Sequence, residues 1–281
     1  MKAVVLTGSA CATGGWTYEF FAGVALKTAA RFWFLVAVAG QWIFAYYMVA
    51  TYVSPAVQGN LAAWNKDIPH RYVPGDTVGN SAFALHLLLA AIITFGGPLQ
   101  LIPQIRTRAA TFHRWIGRIY LPASFTAGIA GLYLMWIRGT VGSFSQHLGL
   151  SLDAVLIMLC AAMAFRYARA RQFAVHRRWA LRLFLVVSGV WFFRVGLMFW
   201  IFVNHGPVGF DPQTFEGPFI DFLSFAISVL PLSILELYLR TLDRGVASTR
   251  IAMAASLLIL SVAMGIGIYV ATMGMWLPRL R

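Results

Sequence analysis

The chain has 281 residues, of which 60% are hydrophobic and only 11% charged, with a formal net charge of +13 and a mean hydropathy of +0.74. Such a composition excludes a soluble globular domain and an intrinsically disordered chain, and it specifies an integral membrane protein. The two cysteines, Cys11 and Cys160, fall in different environments and exclude a disulfide framework.

Taken in order, the first thirty residues read as a cytoplasmic tail, because the apolar run after Lys2 is too short for a secretory leader. Apolar stretches of the length needed to cross about 30 Å of hydrocarbon follow at 32–53, 80–104, 113–137, 148–168, 179–203, 219–239 and 251–275. The expected fold is therefore all-α, an integral membrane helical bundle of about seven transmembrane helices. Residues 1–281 form a single polytopic domain on this reading, with spans two to five, residues 80–205, as a central four-helix core. The segment after the first span, rich in Pro, Gly and Asn, is expected to be irregular or interfacial.

Orientation follows from the basic residues. With the N-terminus inside, sixteen Lys and Arg fall in cytoplasmic segments, five fall outside, and Arg194 is embedded in span five. Cationic loops are retained on the cytoplasmic side, which places the N-terminus in the cytoplasm and the C-terminus outside a bacterial inner membrane. The net charge is thereby explained by topology and by attraction to anionic lipid, and no nucleic-acid partner is required.

Two segments repeat. "FHRWIGRIY" at 112–120 returns as "VHRRWALRLF" at 175–184, so His113 and His176 each open a span at the inner surface. His86 lies inside span two and His147 at the outer end of span four. The spacings His86–His113 and His147–His176, 27 and 29 residues, describe two parallel copies of one helical hairpin. Steps of three and four place His86, Ala90, Ile93, Gly97, Gln100 and Gln104 on one face of span two, and His113, Gly117, Tyr120, Ser124, Ala127 and Gly131 on one face of span three. Small and polar faces of this kind admit another helix or a flat ligand. In span five, Arg194 is expected on the face of His176, about 27 Å further along a straight helix.

This arrangement is what bis-histidine haem ligation needs: His86 with His147 near the outer surface, and His113 with His176 near the inner one. Arg114, Arg118, Arg177 and Arg178 would neutralise propionates inside, and Arg194 outside. The layout resembles the di-haem transmembrane cytochromes of the ascorbate-reducible type in spacing and depth, though seven spans depart from that family's six. A second resemblance lies in motifs: "GPLQLIPQIRTRAATFHRWIGRIYLP" followed by "HRRWALR" is similar to a bacterial family of multi-pass membrane proteins known as a domain of unknown function. Ala180 stands where that pattern leads one to expect methionine.

Three functional readings follow. The first is a membrane electron-transfer protein, a possible transmembrane oxidoreductase, with one or two b-type haems and a quinol or small anionic reductant as partner. The second is an ion- or proton-coupled transporter using His86, Arg194 and Asp153, with a joint at Gly97–Pro98. The third is a non-catalytic assembly or accessory protein. Anchoring at the lipid headgroups competes for His113 and His176, and a structural ion pair between Asp153 and Arg194 competes with a propionate contact.

Overall fold

The computed structural model describes residues 10–65 and 71–280, and eight long or paired helices dominate it. They are α1 (Ala10–Met48), α2 (Thr77–Leu101), α3 (Ala110–Tyr133), α4 (Phe144–Arg169), α5 (Phe173–Val187), α6 (Gly189–Val203), α7 (Pro218–Arg244) and α8 (Ala247–Ala271). Six helices among the described residues are long and apolar enough to cross a membrane, and α5 with α6, bent by 51° at their junction, bring the number to seven where the pair is one span. The helices start and stop where local chemistry directs. Asp76 caps α2 by accepting from the Gly79 N–H at 2.8 Å, and Ser143 caps α4 through Gln146 N–H at 3.0 Å. Ile102 is extended ahead of Pro103, so α2 stops there, and a short helix, Pro103–Arg108, leads into α3.

α2, α3, α4 and α5 form a closed ring, each packed on the next, with α5 returning to α2. α7 covers α4, and α1 with α8 form a second layer against α2 and α6. Apolar side chains such as Phe95, Ile129, Ile259 and Val262 remain exposed on the outer surface, as a lipid-facing bundle requires.

Three expectations are corrected here. Residues 10–30 are helical rather than a tail: Leu26 and Ala29 pack on Ala254 and Leu257 of α8. Glu19 ties this stretch down by accepting from the Ala247 N–H at 3.0 Å and pairing with Arg250 at 3.1 Å. Lys27 and Arg31 break the hydropathy run without breaking the buried face. Secondly, α2 passes through Gly97 and Pro98 as one helix, and the break falls at Ser188. There the hydroxyl donates to Phe184 O at 2.7 Å and accepts from the Gln41 amide at 2.8 Å, which competes with the helical ladder. Across that break His176 meets Ala164 of α4 while Arg194 meets Phe44 of α1, so the two do not address the same neighbour. Thirdly, the segment after α1 is ordered through Trp64, whose indole donates to Tyr52 O, and through paired bonds between Asn65 and Tyr72. His70 lies outside the described residues.

Candidate functional site

The two polar stripes meet in one antiparallel register. A β-carbon on Gly131 would lie 3.4 Å from the His86 ring, one on Gly97 would lie 3.1 Å from the Tyr120 hydroxyl, and one on Gly117 would lie 3.4 Å from Gln100 Oε1. Along most of their length the small residues therefore admit the neighbouring helix, which is the ordinary use of glycine between membrane helices. His86 is held within this interface, its Nδ1 3.2 Å from Ala127 O. A carbonyl only accepts, so Nδ1 carries a proton there.

His147 is placed elsewhere. Its ring meets Trp136 edge-on at 5.7 Å, and Nε2 lies 3.3 Å from the Thr140 hydroxyl. Measured along α3 and the turn that extends it, the residues that His86 meets, Ala127 and Gly131, lie nine and five residues before Trp136, about 7–13 Å of helix. The equal depth expected of His86 and His147 is not found. The reason is local: His86 sits almost three turns inside α2, whereas His147 is in the first turn of α4.

At the arginine-rich end the geometry differs. His176 Nδ1 lies 2.8 Å from Ala164 O on α4, so Nδ1 carries a proton and Nε2 is the nitrogen left for another partner. His113, on α3 across the ring, interacts electrostatically with His176, and its Nδ1 is buried without a hydrogen-bond partner. Deeper on the same side, Gln100 Nε2 and the Tyr120 hydroxyl are buried and also without partners. Three partnerless polar atoms on two facing helices are unusual in a native interior, where such groups are normally bonded.

The arginines divide into two sets. Arg178 makes two 2.8 Å bonds to Asp243, and Arg182 pairs with Glu236 at 2.7 Å while lying over the Trp179 ring. Among the described residues Arg114, Arg118 and Arg177 form no ion pair. Arg114 donates to the Thr111 hydroxyl and Arg118 lies over Trp115. Sequence spacing alone did not separate these sets, because the carboxylates that occupy Arg178 and Arg182 come from α7.

In the other half of the bundle, Asp153 and Arg194 do not pair. Asp153 accepts from the Ser228 hydroxyl at 2.6 Å and packs against Gly189, the first residue of α6. Arg194 donates to Val190 O and lies over the Phe44 ring of α1, within electrostatic reach of His86. A cavity of about 30 Å³ at the helix break is lined by Gln41, Thr94, Ser188 and Trp191 among others. It has room for a water, which the partnerless Trp191 indole can bond.

As the sequence motifs imply, residues 83–211 match the model of a family described as "Predicted membrane protein (DUF2306)", a domain of unknown function. The matched stretch contains His86, His113, His147, His176 and Arg194. No curated protein and no solved structure matches the chain.

Proposed function

We propose that this multi-pass membrane protein transfers electrons through one b-type haem held by His113 and His176 at the arginine-rich end of the bundle. The observation that carries this reading is the bond from His176 Nδ1 to Ala164 O, because a backbone carbonyl on Nδ1 fixes both the tautomer and the ring orientation that a ligating imidazole needs. His113 brings the second imidazole, with a buried nitrogen that has no protein partner. Two imidazoles and no third ligand suit haem iron, and the bare-ion alternative needs a larger set of side chains than the described residues gather.

Haem bound there supplies a one-electron couple inside the bilayer. The protein's own groups do the rest. Gln100 Nε2 and the Tyr120 hydroxyl offer donors to a polar group within the ring of helices. Arg114, Arg118 and Arg177, with no carboxylate to hold them, are available to propionates or to an anionic or quinol reductant at the surface. The depth offset at His86 and His147 leaves the proposal with one haem rather than two.

A reduced-minus-oxidised spectrum of the protein purified from haem-replete cells tests it. The expected result is the sharp alpha band of six-coordinate haem b, lost in His113→Ala and in His176→Ala and kept in His147→Ala. A colourless, monodisperse wild-type protein overturns it.

A second reading, a proton-coupled transporter, draws on the broken span with Asp153 packed at its break, a feature that transporters share. Proton uptake into proteoliposomes, lost in Asp153→Asn with no haem in the preparation, would favour it.

A further inference from the structure

Asp153 lies within α4, ten residues and about 15 Å of helix beyond the cap at Ser143, and it is buried. The haem reading gives it no role. Among the described residues no cation pairs with it, and its hydrogen-bond donor is the Ser228 hydroxyl of α7 at 2.6 Å. A carboxylate taken out of water without a cation is costly, and the neutral acid escapes that cost.

A polar seam joins this group to the end of the bundle away from His113. Its contacts pair α4 with α7 in parallel register: the Ser143 hydroxyl donates to the Asp221 carboxylate, Gly149 lies against the Ser224 hydroxyl, and Ser228 donates to Asp153. Ser224 also donates to Asp221 O at 2.7 Å. Glycine at 149 leaves room for the middle hydroxyl, since a β-carbon there would collide with it. Ser224 and Ser228 are both buried and stand one helical turn apart, about 6 Å, a gap that one water bridges. The seam does not stop at Asp153. A β-carbon on Gly189 would lie 2.6 Å from Asp153 Oδ2, and the preceding residue, Ser188, lines the cavity at the helix break. The carboxyl group thus stands between a hydroxyl-lined route to the surface and a space with room for water.

The other ionisable groups around it are engaged or turned away. Glu236 of α7 pairs with Arg182 of α5, Arg194 of α6 lies over Phe44, and His147, near the entrance, meets Trp136. α3 presents Gly128 to the α4 backbone at Ala154. Cys160, two turns further along α4, is within electrostatic reach of both Asp153 and Arg182.

We propose that Asp153 is a proton-binding site, protonated at neutral pH, which exchanges its proton with water at the Asp221 end of the α4–α7 seam. The site goes beyond the haem reading and does not rest on it. A proton-coupled transporter would need such a site, but the site does not need transport.

Infrared spectroscopy of the full chain in an ester-free detergent tests it. The wild type at neutral pH is expected to show the C=O stretch of a protonated carboxyl group, absent in Asp153→Asn, which keeps an acceptor for Ser228. Ser228→Ala, which takes the donor away, is expected to raise the frequency of that band and decides the matter if Asp153→Asn does not fold. In heavy water the band shifts as the proton is replaced, and Ser224→Ala is expected to slow that shift about tenfold or more, while Ser256→Ala, exposed on α8, leaves it unchanged. A wild type without the band, or a band unchanged in Asp153→Asn, overturns the site. Equal exchange rates in Ser224→Ala and the wild type overturn the route. A band that exchanges while proteoliposomes take up no protons removes the transporter reading and keeps the site.

Discussion

Single atoms distinguish the groups that hold this fold from the groups that wait for a ligand. The Ser228 hydroxyl satisfies Asp153 across α4 and α7, and both are buried. Ser228→Ala leaves that carboxyl group without its donor and is expected to lower stability by about 1–3 kcal/mol, read from unfolding in detergent. Tyr120 presents the opposite case. Its hydroxyl is buried without a partner, so Tyr120→Phe removes a desolvated group and loses no bond. The ligand-free protein is expected to gain thermal stability, while haem retention at the neighbouring site falls. A drop in ligand-free stability would mean that the hydroxyl is already satisfied. His86 resembles His176 in hydrogen bonding and differs in its surroundings, since its ring is packed against Gly131. The same kind of bond orients His176 at the proposed haem site and holds His86 in a helix interface.

Between elements, close approach sets the stability. A β-carbon on Gly267 would lie 2.5 Å from Val195 O, so α8 and α6 touch backbone to backbone there. Gly267→Ala must push the helices apart and is expected to cost about 1–3 kcal/mol. Gly23, in α1, has nothing within 4 Å of an added β-carbon. Gly23→Ala is expected to be neutral or to stabilise by up to about 1 kcal/mol, because alanine is the better helix former. Thermal unfolding of the two variants side by side checks the pair, and equal effects would show that the α6–α8 contact is looser than described. The junction of α5 and α6 is also an element-scale event. Gln41→Leu removes the donor to Ser188 and is expected to loosen the break, read as faster amide exchange at residues 186–190 with the spans otherwise protected.

For the whole molecule, charge and span count fix the expected orientation together. Counted as seven crossings, the spans are expected to put the termini on opposite sides, with the arginine-rich segments at 104–118 and 166–182 on the cytoplasmic side of a bacterial inner membrane. Reporter fusions after residues 108, 170 and 244 should report cytoplasmic locations, and a fusion at the C-terminus an external one. With this orientation the proposed haem site would face the cytoplasm. The reverse pattern would move the proposed haem site to the other side of the membrane without altering its geometry.

What the sequence by itself determined is what bilayer physics imposes on a single helix. Each span must hide its backbone and cover the hydrocarbon thickness, so spans two to seven could be read as apolar lengths, and the small, polar faces of spans two and three as interface stripes. The motif pair around His113 and His176 was equally legible, because it is local. Tertiary structure decided the rest. Periodicity names a face but not the neighbour or the depth at which it is met, and so it could not show that His86 and His147 are offset. Nor could it show that Asp243 and Glu236 occupy two of the inner arginines. The break at Ser188 is met by Gln41, 147 residues away. Hydropathy likewise missed the first half of α1, since two charges lowered its average while Ala22, Leu26 and Ala29 still formed a buried stripe on the bundle. Such features arise from contacts between distant residues, and only the folded chain brings those residues together.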